Sequence, residues 1–195
     1  MRNKSLFLTF FSLMLVFTIS ASAQTWEIDK AHSGVGFTVK HMVVAKVNGK
    51  FNDFSGTISF DEKDMTKLNI SGVVKVASVD TDNEKRDNHL KGPDFFDAAA
   101  YPEIKFESTK VTKKGDAYIV LGDLTIRDVT REIELDMQVS GPIQDPWGAT
   151  RIGLEGRGVI NRQDFGVKWN KSMDNGGVIV SNDVVLNLHA ELIKK

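Results

Sequence analysis

Apolar and polar residues alternate with a period of two along most of the chain beyond residue 24, and this limits the fold more than any other feature. Val35, Phe37, Val39 and His41 alternate with Gly36, Thr38 and Lys40, as expected of a strand with one buried and one wet face. The pattern returns in Ile70, Gly72, Val74 and Val76, in Ile104 and Phe106, in Ile133 through Val139, and in Val184 through Leu192. Tyr118 to Ile126 and Thr150 to Ile160 are longer runs broken by Gly122, Gly153, Gly156 and Gly158, which suits bulged or strongly coiled strands. Turn residues at Asn48-Gly49, Lys114-Gly115-Asp116, Gly141-Pro142, Asp145-Pro146 and Asn175-Gly176-Gly177 predict hairpins between the runs. One segment departs from this pattern. Thr81-Asp82-Asn83-Glu84 reads as a capping box with Thr81 as N-cap, opening a short helix through about Leu90 that Pro93 stops. About eight antiparallel strands with one helical insertion make an all-β sandwich or a closed barrel. Strand patterning leaves both open, and the glycines within long strands favour the barrel.

Residues 1–23 read differently. Arg2 and Lys4 precede an apolar run from Leu6 to Ile19, followed by Ala21-Ser22-Ala23, the three parts of a secretory signal peptide cleaved after Ala23. About 14 apolar-dominated residues fall short of the roughly 20 that span a bilayer as a helix. The expected domain is therefore 24–195, in an exported protein that is periplasmic if the source is Gram-negative and secreted otherwise. Loss of Arg2 and Lys4 moves the formal net charge from −1 to −3. That balance argues against an electrostatic nucleic-acid binder and against more than transient membrane contact through a local patch.

The chain contains no cysteine, which excludes a disulfide framework, thiolate metal sites, a cysteine nucleophile and a lipid-modified cysteine anchor. The four histidines stand far apart, with no His-x-x-x-His pair, so no metal site is read from the sequence. Gly-x-Ser-x-Gly, Gly-x-Gly-x-x-Gly and P-loop patterns are absent, so neither serine catalysis nor a nucleotide cofactor is supported. No catalytic residue is assigned and no cofactor is required.

Several short motifs occur in a fixed order: His32-Ser33 before Val35-x-Phe37-x-Val39-x-His41; Val47-x-Gly49-x-Phe51-x-x-Phe54-x-Gly56; Ser78-Val79-x-Thr81 with Arg86-Asp87-x-His89-Leu90; Asp94-Phe95-Phe96-Asp97 with Tyr101-Pro102. Gly122-x-Leu124-Thr125-Ile126, Val129-Thr130, Trp147-Gly148 and Asn161-Arg162-x-Asp164-Phe165-Gly166 follow. Together they resemble the YceI-like family of exported lipid-binding proteins over essentially all of 24–195. The chain has Asp128 where that family tends to place glycine before the Val-Thr pair, which bears only on the local turn, since Asp tolerates left-handed backbone. The resemblance implies a lipocalin-like antiparallel barrel, associated as a homodimer, holding one long-chain isoprenoid or related amphiphile such as a polyprenyl or prenyl-quinone lipid.

On that basis Phe37, Val39, Phe51, Gly72, Val74, Phe106 and Met137 are expected to line an apolar interior, with Phe165 beside it. His41, Arg86, His89, Arg162 and Lys168 are the candidates for head-group contact. A diphosphate suits a bidentate arginine, and a quinone carbonyl suits a neutral donor such as His89 or Asn161. Each candidate has a structural alternative: Arg86 and Asp87 as helix-end partners, His41 and His89 as satisfied core histidines, and Phe95 and Phe96 as a plug under the loop. Two other functions compete with a lipid carrier: an envelope enzyme acting on the same lipid through His41, His89 and Arg86, and a filled-core, stress-linked protein working through its surface.

Overall fold

The computed structural model describes residues 24–42, 44–172 and 178–195. The predicted leader and the Asn175-Gly176-Gly177 turn lie outside the described residues. Ten strands follow one another: β1 (Gln24–His41), β2 (Ala45–Phe51), β3 (Phe54–Asp61), β4 (Asp64–Lys75), β5 (Val79–Asp80), β6 (Glu103–Lys114), β7 (Ala117–Ile126), β8 (Val129–Gln144), β9 (Thr150–Asn161) and β10 (Val180–Lys194), with helix α1 (Glu84–Lys91) between β5 and β6. Eight of them close an antiparallel barrel in the order β1, β10, β9, β8, β7, β6, β4, β3 and back to β1. This is the lipocalin-like barrel that the family resemblance implied, and it decides between the sandwich and the barrel that the alternation left open.

β1 changes partner along its length. Gln24 to Trp26 pair with β3, whereas Val35 to His41 pair with β2. Between these stretches its register against β10 jumps from Asp29–Glu191 to Gly34–His189, the bulge geometry that lets one long strand turn a barrel corner. β2 is therefore a flap: β5 covers only its Lys50 and Phe51, and the edge from Ala45 to Gly49 has no strand neighbour among the described residues.

Two predicted turns lie inside strands. Asn48-Gly49 falls in β2, because Gly49 pairs with Phe37 and a Cβ there would stand 2.3 Å from the Phe37 ring. Gly141-Pro142 lies at a register shift within β8 rather than between strands. Thr81 does not cap the helix either: Asn83 is the N-cap and accepts from the Arg86 N–H, while the buried Thr81 gives its N–H and hydroxyl to Asp87. In the two-residue β7–β8 turn the left-handed residue is Arg127, at φ 59°, and not Asp128.

The barrel is filled at one end. Trp26 stacks on Phe60 with centroids 4.9 Å apart, and Ile58, Met65, Leu68, Val111, Ile152 and Leu192 complete a buried cluster. Each such side chain contributes about 1.5–3 kcal/mol by leaving water. On the rim of this end the Arg151 guanidinium donates to Asp145 at 2.6 Å, to Asp29 at 3.0 Å and to Glu191. It thus engages two members of the Asp29, His32 and Glu191 cluster. The Arg151 hydrogen bond holds the Asp145 carboxyl below its ordinary value, and hydrogen bonds from His32 and Arg151 do the same for Asp29. Carboxylates depressed in the folded state stabilise it above their unfolded pKa and lose that contribution as the pH falls through the folded value. Arg151→Gln is accordingly expected to lower the melting temperature at neutral pH and to flatten its further fall between about pH 5 and pH 2, read by thermal melts across that range.

Gly122 shows how tightly the wall is packed where it is closed. A Cβ there would meet the Phe106 ring at 2.4 Å and the Glu107 carbonyl oxygen at 2.7 Å. Gly122→Val is expected to cost about 1–3 kcal/mol by overpacking, measured by denaturant unfolding.

Candidate ligand cavity and its mouth

From the filled end toward α1 the interior opens into a cavity of about 490 Å³, within the range of small-molecule sites. Inward residues of successive strands line it, from Met137, Leu154 and Ala190 at the floor to Leu186, Val184 and Val180 near the top. Along β10 the lining from Val180 to Ala190 spans roughly 33 Å of strand, or about 25 Å of depth at the usual strand tilt. The space is long and narrow.

Small residues make this room. Gly72 is in phase with the cavity-lining Ile70 and Val74, and a Cβ on it would meet nothing within 4 Å. The neighbouring Phe106 lies over Gly122 instead of filling the space beside Gly72. Phe37 similarly lies over Gly49, with its ring 5.7 Å from that of Phe51. Of the residues expected in the interior, Phe37, Val39, Phe51, Gly72, Val74, Phe106 and Met137 all face the cavity. Phe165 does not: it is 2% exposed and packs with Phe95, Ile126 and Ile160 behind the wall.

Polar side chains from β1 and α1 join the apolar lining. His41, Val47, Arg86, His89 and Trp169 all line the cavity. His89 is half exposed; it lies 3.0 Å from Asp94 and meets Phe95 and Trp169 edge-on, each at 5.0 Å. Neither His41 nor His89 is a buried core histidine. Arg86 donates from Nε to the Thr81 hydroxyl at 2.8 Å and from Nη2 to the Thr81 carbonyl at 2.7 Å. It makes no ion pair among the described residues, and Asp87 is engaged with Thr81 instead. Arg86 is thus a partly committed cation at the mouth.

Arg162 is placed differently. It is 5% exposed and spends its donors on the protein: Nε on the Ser181 carbonyl, Nη1 on the Val167 and Trp169 carbonyls, and Nη2 on Val180 and Asn182. No carboxylate faces it among the described residues, and burial pulls its pKa below the ordinary arginine value. Arg162 fastens the segment that carries Trp169 to the start of β10. Asn161 is likewise engaged, accepting from the Gln163 N–H.

Two contributors carry little sequence signal. Trp169 is an isolated aromatic whose place beside His89 depends on the Arg162 anchor. Arg127 donates to the Gly166 carbonyl at 3.1 Å, approaches Asp97 at 4.0 Å and lies 5.2 Å from the Tyr101 ring centroid. It ties the β7–β8 turn to the loop bearing Phe95 and Phe96.

A closed antiparallel barrel with a long apolar interior and a polar mouth is the architecture of a lipocalin-like protein. The YceI-like domain model matches residues 26–192, and the chain belongs to that family. It is 39% identical over 157 residues to a UPF0312 protein of Photorhabdus laumondii, covering 80% of this chain and 82% of that one. Among solved structures it resembles the YCEI protein of Campylobacter jejuni, with a TM-score of 0.70 and 36% identity over 87% of this chain and 97% of the other. A polyisoprenoid-binding domain from Saccharophagus degradans shares the fold, with a TM-score of 0.62 and 15% identity over 89% of this chain and 100% of that domain.

Proposed function

We propose that this protein is an exported carrier or buffer that holds one long isoprenoid-type lipid, a polyprenyl or prenyl-quinone compound, with its tail in the barrel and its head group at the mouth. The observation that carries this reading is the shape and chemistry of the interior: a narrow, largely apolar channel about 25 Å deep, floored by a packed core, with His41, Arg86 and His89 among its polar lining. Each buried methylene contributes roughly 0.8 kcal/mol before ordering costs, so the tail supplies affinity and the mouth supplies selectivity. The name of the Saccharophagus domain, which shares the fold, is in keeping with such a ligand. The leader-like N-terminus supports export, and with it a role between membranes where a prenyl lipid is insoluble. A resident cofactor and a chemical step are not needed for that role, and a homodimer would place two such barrels together.

The test is displacement of a fluorescent apolar probe from delipidated protein by a prenyl quinone and by a polyprenyl phosphate. Both are expected to displace it. Arg86→Ala is expected to weaken the phosphate lipid about tenfold, the value of a charge-assisted hydrogen bond, and to leave the quinone unchanged. Failure of both lipids to displace the probe contradicts the reading.

A further inference from the structure

The hairpin joining β1 to β2 carries the wrong residues for a turn in water. Its tip reads His41-Met42-Val43-Val44, where Asn, Asp or Gly would be favoured, and Val43 lies outside the described residues. Met42 takes a left-handed conformation, φ 51°, which costs a side-chain-bearing residue more than glycine. Val44 is 88% exposed and Met42 41%. The β10 side of the same tip adds a third exposed side chain, because Met42 donates to the Ile179 carbonyl and Val178, beside it, is 38% exposed.

The described segments that form and flank the tip carry charge of one sign. Lys40, Lys46, Lys168 and Lys171 are exposed, and no acidic residue occurs among the described residues from Lys40 to Gly49, Val167 to Ser172 and Val178 to Asn182. None of the four lysines makes an ion pair among the described residues. Asp174 lies outside the described residues. This cationic, apolar tip belongs to a chain of net negative charge and projects beside the cavity mouth, since His41 and Val47 at its base line the cavity.

We propose that this tip docks the mouth onto the surface of an anionic lipid bilayer, an inference that gives the carrier reading its route of loading and rests on it for its biological sense. A few side chains on a projecting hairpin do not make a protein interface, which takes roughly 800 Å² per partner with matched shape. A bilayer demands no matched shape. It accepts apolar side chains at the depth of its head groups and attracts lysines around them. Docking there brings the part of the cavity lined by His41 and Val47 to the membrane.

The test is flotation of the species lacking residues 1–23, whose closed barrel is described above, with vesicles of phosphatidylglycerol and phosphatidylcholine or of phosphatidylcholine alone. Wild-type protein is expected to float with the anionic vesicles, less so as salt is raised. Lys46→Gln with Lys171→Gln should weaken this about 25-fold, roughly fivefold for each lysine. Met42→Asp with Val44→Asp should weaken it at least about tenfold, while the equilibrium affinity of the cavity for a soluble apolar probe, to which these four residues do not contribute, stays at the wild-type level. Gly72→Phe should float like wild type although its cavity is blocked. Wild-type protein that loads lipid but stays off anionic vesicles overturns docking and leaves the carrier reading standing. Variant-sensitive flotation by a protein that loads no prenyl lipid does the reverse. Equal flotation of wild type and the double aspartate variant also overturns docking.

Discussion

Gly72→Phe is expected to abolish lipid loading while leaving the fold intact. The position faces the cavity, and a Cβ there meets nothing within 4 Å, so the phenyl ring enters space that the tail would occupy. Displacing three or four methylenes at roughly 0.8 kcal/mol each removes about 3 kcal/mol of binding, or roughly a hundredfold in affinity. The barrel itself should not suffer. Phenylalanine favours strands and glycine weakens them, so the melting temperature is expected to hold or rise slightly. The contrast with Gly122→Val makes the result diagnostic, since both glycines sit in strands of the same wall and only Gly122 is covered by an aromatic ring. Retained lipid binding at an unchanged melting temperature would mean that the tail does not pass residue 72. Destabilisation would mean that the space is not open.

The second large effect is expected at Arg162, and it is one of stability. Arg162→Met removes the donors that satisfy the carbonyls of Val167, Trp169 and Ser181. Each buried acceptor left unpaired costs about 1–3 kcal/mol, and the protein should lose on the order of 3–5 kcal/mol in all. That is a fall in melting temperature of roughly 10 °C for a chain of this size. Arg162→Lys should fall almost as far, because one ammonium cannot span acceptors arranged around a planar fork. If Arg162 instead served a lipid head group, lysine would keep much of the phosphate affinity and the protein would remain stable. Thermal melts of the two variants, set beside lipid titrations, separate these roles.

Alternation located most of the barrel because the interior face is apolar on nearly every strand. It could not reveal that β1 serves two partners, since that depends on the bulge at residues 30–33 and not on the pattern of either half. Asn48-Gly49 was legible as turn chemistry, but its glycine answers to the Phe37 ring across the strand pair, a tertiary demand that mimics a local one. Thr81 was legible as a cap, yet the cap passed to Asn83 because Asp87 draws the Thr81 hydroxyl inward. Arg162 was legible as a candidate for head-group contact, but its donors are spent on the protein. Its partners are backbone carbonyls of the β9–β10 connection and of the start of β10, which no periodicity announces. Arg127 was invisible for the same reason: its role comes from contacts between segments far apart in the chain.

The central claim is that the cavity exists to hold a prenyl lipid. The most direct measurement is mass spectrometry of the organic extract of protein purified from a host that makes such lipids, with Gly72→Phe purified in parallel. The account predicts one prenyl quinone or polyprenyl phosphate in stoichiometric amount from the wild type and none from the variant. An empty wild-type extract, still empty after incubation with both lipids, would contradict it.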